Sequence, residues 1–423
     1  MPHAPTPREL TLRGLILGAV ITVIFTASNV YLGLRIGLTF ASSIPAAVIS
    51  MAVLRALGNS SLLENNMVQS QASAAGTLSC VFATFPGLIM AGIWSNFPFW
   101  QTAGISLAGG IAGVLFTIPL RRALVTESSL PYPEGVAAAE ILRAGGKNGN
   151  TKSLKALVSG GVIAALFTFA SNGLRVVADS VSATASLGGA IFQATGGLSL
   201  ALIGAGYLVG VAGGLAMLVG CIMAWGVGVP WLTAHTANTA HLAAAEFAHS
   251  VWLHKVRFVG AGAIAMASVW TLIELIGPVA RGLRAMLHAH RTPSTTEQDK
   301  DLSPRSLIAL LTFTVVALGV LFSAFLAPVA HGIGMLVVAA VLFCIVFGFV
   351  MADACGYMAG IVGSSSSPIS GIVIIAAVLS ALMILGLEAC GLVPEALMAN
   401  GQTLATGFTI LVLSAITAIA AIS

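Results

Sequence analysis

The residues able to do chemistry in this chain lie in three polar stretches set between long apolar runs. The first, 59–77, reads Asn-Ser-Ser-Leu-Leu-Glu-Asn-Asn-Met-Val-Gln-Ser-Gln-Ala-Ser-Ala-Ala-Gly-Thr. The second is Leu130-Pro-Tyr-Pro-Glu-Gly135. The third, Asp353–Gly371, combines a carboxylate, four glycines, five serines and a proline. An ionisable side chain inside a membrane is costly and functional by default, so Glu64 and Asp353 are candidate protonatable groups. Asn65, Asn66, Gln69 and Tyr357 supply hydrogen-bonding groups, as do the hydroxyls of Ser364, Ser365, Ser366 and Ser367. Irregular backbone at membrane depth is tolerated only where it is buried in protein or lines a wet cavity. The serine run therefore reads as the wall of a binding site or pore.

Further candidates come from shorter patterns. Gly18, Thr22, Thr26, Asn29 and Gly33 recur at spacings of four, four, three and four, which puts them on one helix face. That stripe reads either as a close helix–helix seam or as a cavity lining in which Asn29 meets a ligand. The stretch 230–254 holds His235, His241, Glu246, His249 and His254. Glu246 and His249 make half of a di-metal bundle motif, but its second half and any His-Glu-x-x-His pattern are missing, so no metal site is expected. These histidines read as structural or as part of a substrate or proton path. Arg175 and Asp179, at i and i+4, could pair on one helix face. The five cysteines stand singly, without CxxC spacing, and read as packing residues. No cofactor is implied.

The elements that must position these residues follow from composition. The chain is 57% hydrophobic and 8% charged, far below the roughly 25% charged of an average globular domain. Apolar runs of around 20 residues, the length of a bilayer crossing, recur from end to end without the ten-residue alternation of a β-barrel. The fold class is all-α: a polytopic helical membrane protein of 11–12 crossings, broken or re-entrant near 64–77 and 353–371. Leu12–Leu34 is the first span. Gly109 and Gly113 have small-xxx-small spacing, and Gly206, Gly210 and Gly214 mark a further packing face. The basic loops 121–155 and 281–305 are expected in the cytoplasm, as is the N-terminus with Arg8 and Arg13. Three clear crossings separate the two loops where an even number is required. Either Ser180–Gly197 or Thr233–Leu253 also crosses, or one span is re-entrant. The net charge of +4 sits in loops and marks orientation, not nucleic-acid binding.

Three motifs then occur in a recognisable order. They are Glu64-Asn-Asn-Met-Val-Gln69, Leu130-Pro-Tyr-Pro-Glu-Gly135 with Glu140 after it, and Gly360-Ile-Val-Gly-Ser-Ser365 with Pro368-Ile-Ser-Gly371. The set resembles the oligopeptide transporter (OPT) family, on the branch with bacterial members and the plant yellow stripe-like transporters. The Asn-Pro-Gly and Lys-Ile-Pro-Pro-Arg motifs of the fungal peptide-transporting branch are absent, which argues against simple peptides. The resemblance runs from about Leu12 to Ser423 and implies a single transport domain. Family members are longer, so a truncated or split gene product is expected.

The resemblance implies a secondary active transporter, a proton-coupled importer of a peptide-like or metal-chelate, siderophore-like substrate. In a bacterium it would be a multi-pass protein of the inner membrane. The absence of a Gly-x4-Gly-Lys-[Ser/Thr] loop agrees with secondary rather than ATP-driven transport. Glu134 is placed at the cytoplasmic side, as a gate or a substrate ligand. An uncoupled channel or facilitator for a small polar solute is the alternative; an enzyme would need a nucleophile–base pair or metal cluster that the spans do not show.

Overall fold

A computed structural model describes residues 9–36, 42–58, 60–121, 124–125, 128–148, 151–174, 176, 180–197, 200–238, 241–267, 269–270, 273, 302–327, 332–363, 369–393 and 403–422. Ser364, Ser365, Ser366 and Ser367 lie outside the described residues, as do Arg175 and Asp179. The described chain is overwhelmingly helical, and seven of its helices are long and apolar enough to cross a membrane. Three shorter apolar helices accompany them, Ser43–Ala56, Ser159–Ser171 and Val373–Ala389. The described spans are thus fewer than the 11–12 crossings expected from hydropathy. The protein is an integral, multi-pass, all-α membrane protein, with two compact units, 1–150 with 268–423, and 151–267.

The first unit begins with α1 (Leu12–Ile36), α2 (Ser43–Ala56) and α3 (Leu62–Leu78). Ser61 caps α3, its hydroxyl accepting from the Glu64 N–H at 3.0 Å. The polar row 62–78 is regular α-helix; the interruption comes after it, as a 3-10 segment, Ser79–Ala83, leading to the short α4 (Pro86–Met90). α1 packs on α3 through the predicted stripe. Thr22 and Thr26 donate to the carbonyls of Gln71 and Ala75 at 3.5 and 3.3 Å, and Asn29 donates to that of Gly76 at 3.4 Å. Of the two readings of that stripe, the helix–helix seam is the one the geometry draws. Gly18 and Gly33 belong to the same seam, because a Cβ at either would meet Gln71 or Phe82.

α5 (Phe99–Arg121) and α6 (Pro133–Asn148) follow. After the second unit come α11 (Pro304–Phe325), α12 (Ile333–Val362), α13 (Ile369–Ala389) and α14 (Thr403–Ile422). Ser303 caps α11 with Pro304 in its first turn, where a missing N–H costs nothing. α14 is the most enclosed of the seven spans and packs on α5, α12 and α13. Gly109 and Gly113 let α5 approach it: a Cβ at Gly113 would lie 2.5 Å from the Ile419 carbonyl oxygen. Phe322 and Phe408, both fully buried, meet edge to face at 5.5 Å in the main core. α12 is regular from Ile333 through Asp353 to Val362 and stops at Gly363, whose φ of +94° ordinary residues avoid. The break expected over 353–371 is therefore displaced towards its C-terminal part.

The second unit holds α7 (Thr151–Thr168), strands β1 (Ser180–Leu187) and β2 (Ala190–Gly197), α8 (Leu200–Cys221), α9 (Val229–His235) and α10 (Ala244–Val251). π-helical segments occupy Phe169–Gly173, Ile222–Gly228 and Trp252–Val256. The two strands form an antiparallel hairpin with Leu187 opposite Ala190. Gly188 and Gly189, at φ +56° and +89°, make the two-residue turn that such a hairpin favours. Ser180–Gly197 is thus a hairpin, not an additional helical crossing, and its Gly-Gly pair between two short runs is the signal for it. α8 is broken at Gly210, φ 77° and ψ 179°. No atom among the described residues lies within 4 Å of a Cβ built at Gly206, Gly210 or Gly214, so the packing face expected there is not formed among these residues.

Candidate functional site

The first unit contains a cavity of about 410 Å³ between α3 and α6. One wall is Asn66, Gln69 and Ser73, at i, i+3 and i+7 on a single face of α3. The other is α6, which contributes Glu134 in its first turn and Arg143 further along; Ser43 adds a hydroxyl from α2. Two of the three sequence motifs thus meet in one polar cleft. Its volume falls in the range of small-molecule pockets, roughly 300–1,000 Å³.

Adjacent Asn65 points elsewhere. Its side-chain oxygen accepts from Ser50 Oγ at 2.9 Å, and its amide donates to the Ser61 carbonyl at 2.9 Å and to Ser60 Oγ at 3.2 Å. It is buried and ties α2 to the start of α3, away from the cavity. Glu64 is buried as well, and its carboxylate is held bidentately by Arg13: Nε to Oε1 at 2.7 Å and Nη2 to Oε2 at 2.8 Å. Thr11 Oγ1 donates to the same carboxylate. Spacing alone pointed to neither partner, since both come from the neighbourhood of α1.

The second and third motifs meet directly. Tyr132 donates its N–H to the Gly360 carbonyl at 2.9 Å, and its phenol donates to the Leu124 carbonyl at 2.9 Å. Burial pushes the Tyr132 phenol above its ordinary range. Tyr132 itself has φ +43°, an uncommon conformation for a bulky residue. One residue after Pro133, the Glu134 side chain runs against the end of α12: a Cβ at Gly363 would stand 2.8 Å from its carboxyl carbon. Only glycine fits there, for space and for φ. Glu134 therefore both lines the cavity and touches the third motif.

Asp353 is fully buried within α12, and neither carboxylate oxygen has a hydrogen-bond partner among the described residues. A buried carboxylate left so is costly in its charged form. Tyr357, one turn further along, packs in an apolar cluster with Leu130 and Phe116 and does not line the cavity. Asn29 belongs to the α1–α3 seam.

The second unit has a separate cavity of about 720 Å³, lined by the hairpin and the π-helical segment at Ile222–Gly228, with Phe192, Gln193, Trp225 and His249 among its walls. His249 and Trp225 both pack on Trp252, at 5.7 and 5.8 Å between ring centroids. His235 and His254 bond to carbonyls of their own helical turns. No cluster of three potential metal ligands occurs among the described residues.

The family model described as OPT oligopeptide transporter protein aligns with residues 9–413. The chain belongs to the OPT oligopeptide transporter family. A Haemophilus influenzae protein that carries an oligopeptide-transporter name is 50% identical over 400 residues, which is 93% of this chain and 63% of that protein. The iron–phytosiderophore transporter of Oryza sativa subsp. japonica is 22% identical over 346 residues, 70% of this chain and 49% of the rice protein. A second rice protein, named for metal–nicotianamine transport, is 24% identical over 292 residues, 57% of this chain and 41% of its own length. The chain thus spans between 41% and 63% of the length of these relatives. In this chain the cavity wall Asn66–Gln69 and the Tyr132–Gly363 junction are where the three sequence motifs come together.

Proposed function

We propose that the chain is the transport domain, or part of it, of a secondary active transporter that imports oligopeptide-like or metal-chelate substrates with protons. The observation that carries this reading is the cavity gathering Asn66, Gln69 and Glu134 from two separate motifs. Its amides offer donors and acceptors suited to peptide or chelate groups. The names of the relatives supply the substrate classes. The junction of Glu134 with Gly363 ties that cavity to the end of α12, the helix that carries Asp353.

Asp353 is the first candidate for the coupling proton, because its buried oxygens lack partners among the described residues. Glu64 is the second; there a proton would have to release Arg13. Ser364, Ser365, Ser366, Ser367 and Tyr357 remain proposed substrate contacts for other stages of the cycle, as do Asn29 and Asn65. In proteoliposomes with an inward proton gradient, labelled tri-alanine and a ferric chelate are offered in turn. The expected result is saturable accumulation above equilibrium that collapses with a protonophore. Accumulation that persists without the gradient would remove proton coupling, and flux proportional to concentration would indicate a channel.

A further inference from the structure

The cavity is polar at two ends and different along its two sides. Glu134 and Arg143 stand nine residues apart on α6, about 14 Å between α-carbons at a rise of 1.5 Å per residue and a half-turn offset. Both residues line the same cavity, and a separation of nine residues puts them on opposite flanks of the lining face. Between them α6 presents Gly135, Ala138, Ala139 and Leu142, none with a side-chain hydrogen-bonding group. The facing wall presents Asn66, Gln69 and Ser73, each able to donate and accept. An anion stands at one end, a cation at the other, with an amide row on one side and a small apolar strip on the other. Charges of these signs also suit the ends of a helix dipole, but that preference places them anywhere around the helix, not at one cavity.

We infer that α6 acts as a charge ruler: Glu134 receives the cationic end of a short zwitterionic chain and Arg143 its anionic end. Asn66 and Gln69 bond the backbone or chelating groups between them. Side chains of this length, extended towards a bound chain, would shorten the gap between their α-carbons, so the best fit is a chain of two or three residues at ~3.3–3.6 Å each. Alanine-sized side chains would lie on the Ala138–Ala139 strip. This rests on reading the cavity as the substrate site and adds the residues that recognise each end and the length they select; it sets short peptides against the expectation drawn from the missing fungal-branch motifs.

The test uses the purified full chain and labelled alanine peptides in equilibrium binding. Di-, tri-, tetra- and hexa-alanine are compared with N-acetylated tri-alanine and with tri-alanine amide. Gln69→Ala, Glu134→Gln and Arg143→Gln are measured beside the unaltered protein. The expected result is tightest binding of di- or tri-alanine, with a loss of about tenfold or more on capping either end. Glu134→Gln should abolish only the discrimination against the N-acetylated peptide, and Arg143→Gln only that against the peptide amide. The capped peptides test the idea on the unaltered protein, so it stands or falls without the variants folding. If peptides bind and Gln69→Ala weakens them, yet free and capped forms bind alike, the ruler is wrong and the site reading survives. If no peptide binds, or binding ignores Gln69→Ala, the cavity is not the peptide site and both readings fall.

Discussion

Glu134 and Gly363 meet where α6 begins and α12 ends: the carboxyl carbon lies 2.8 Å from the place a Cβ of residue 363 would occupy. The contact joins the Pro-Tyr-Pro-Glu-Gly stretch to the Gly-Ile-Val-Gly stretch, with the Tyr132 N–H bonded to the Gly360 carbonyl beside it. A residue that lines the cavity is thereby mechanically tied to the helix bearing Asp353.

Gly363→Ala is expected to break that tie. The new methyl would meet Glu134, and the backbone at φ +94° and ψ 161°, open essentially to glycine alone, would cost a further ~1–3 kcal/mol. Gly360→Ala should be milder, because its closest clash, at 2.7 Å, is with the far end of the Leu130 side chain. Thermal unfolding in detergent should rank unaltered protein above Gly360→Ala above Gly363→Ala. Adding Glu134→Ala to Gly363→Ala should recover the steric part only.

Tyr132→Phe removes one hydrogen bond, that to the Leu124 carbonyl, and leaves the ring in place. The expected loss is about 0.5–1.5 kcal/mol, read as a small drop in Tm. A loss of uptake much larger than this stability change would show that the phenol takes part in movement of the junction.

Arg13→Ala should harm the first unit more than Glu64→Gln. It leaves the Glu64 carboxylate, enclosed by the protein, without its counter-ion. Glu64→Gln keeps a neutral group that can still accept from Thr11. Combining the two should be less damaging than their sum, a coupling that a double-mutant cycle in thermal unfolding measures.

Asp353→Asn should retain substrate exchange across the membrane and lose accumulation driven by a proton gradient. An amide keeps size and polarity but cannot carry the proton. Unchanged gradient-driven accumulation would remove Asp353 from the coupling path.

Gly113→Val is expected to disrupt assembly of the first unit. Its side chain would enter α14 at Ile419 and Ile422, and backbone cannot yield as a flexible side chain does. Loss of monodisperse protein on size exclusion is the readout. The same change at Gly214, where nothing described lies within 4 Å, should leave that profile unchanged.

The sequence by itself determined the class of the molecule and the order of its polar motifs. Hydropathy and small-residue spacing are local, and a 20-residue apolar run has few outcomes other than a membrane helix. The close approach at Gly109 and Gly113 was legible for that reason. The hairpin at Ser180–Gly197 was less so, because its strands are no more alternating than a weak span, and only Gly188-Gly189 betrays it. The tertiary structure decided which face of α3 is the wall. Asn65 and Asn66 are neighbours of like chemistry, yet one is consumed by Ser50, Ser60 and Ser61 while the other faces the cavity. It also decided that Glu64 meets Arg13 and that Glu134 meets Gly363. Helical periodicity says which residues share a face, but the rotation of that face towards a neighbour is set by packing between segments far apart in the chain.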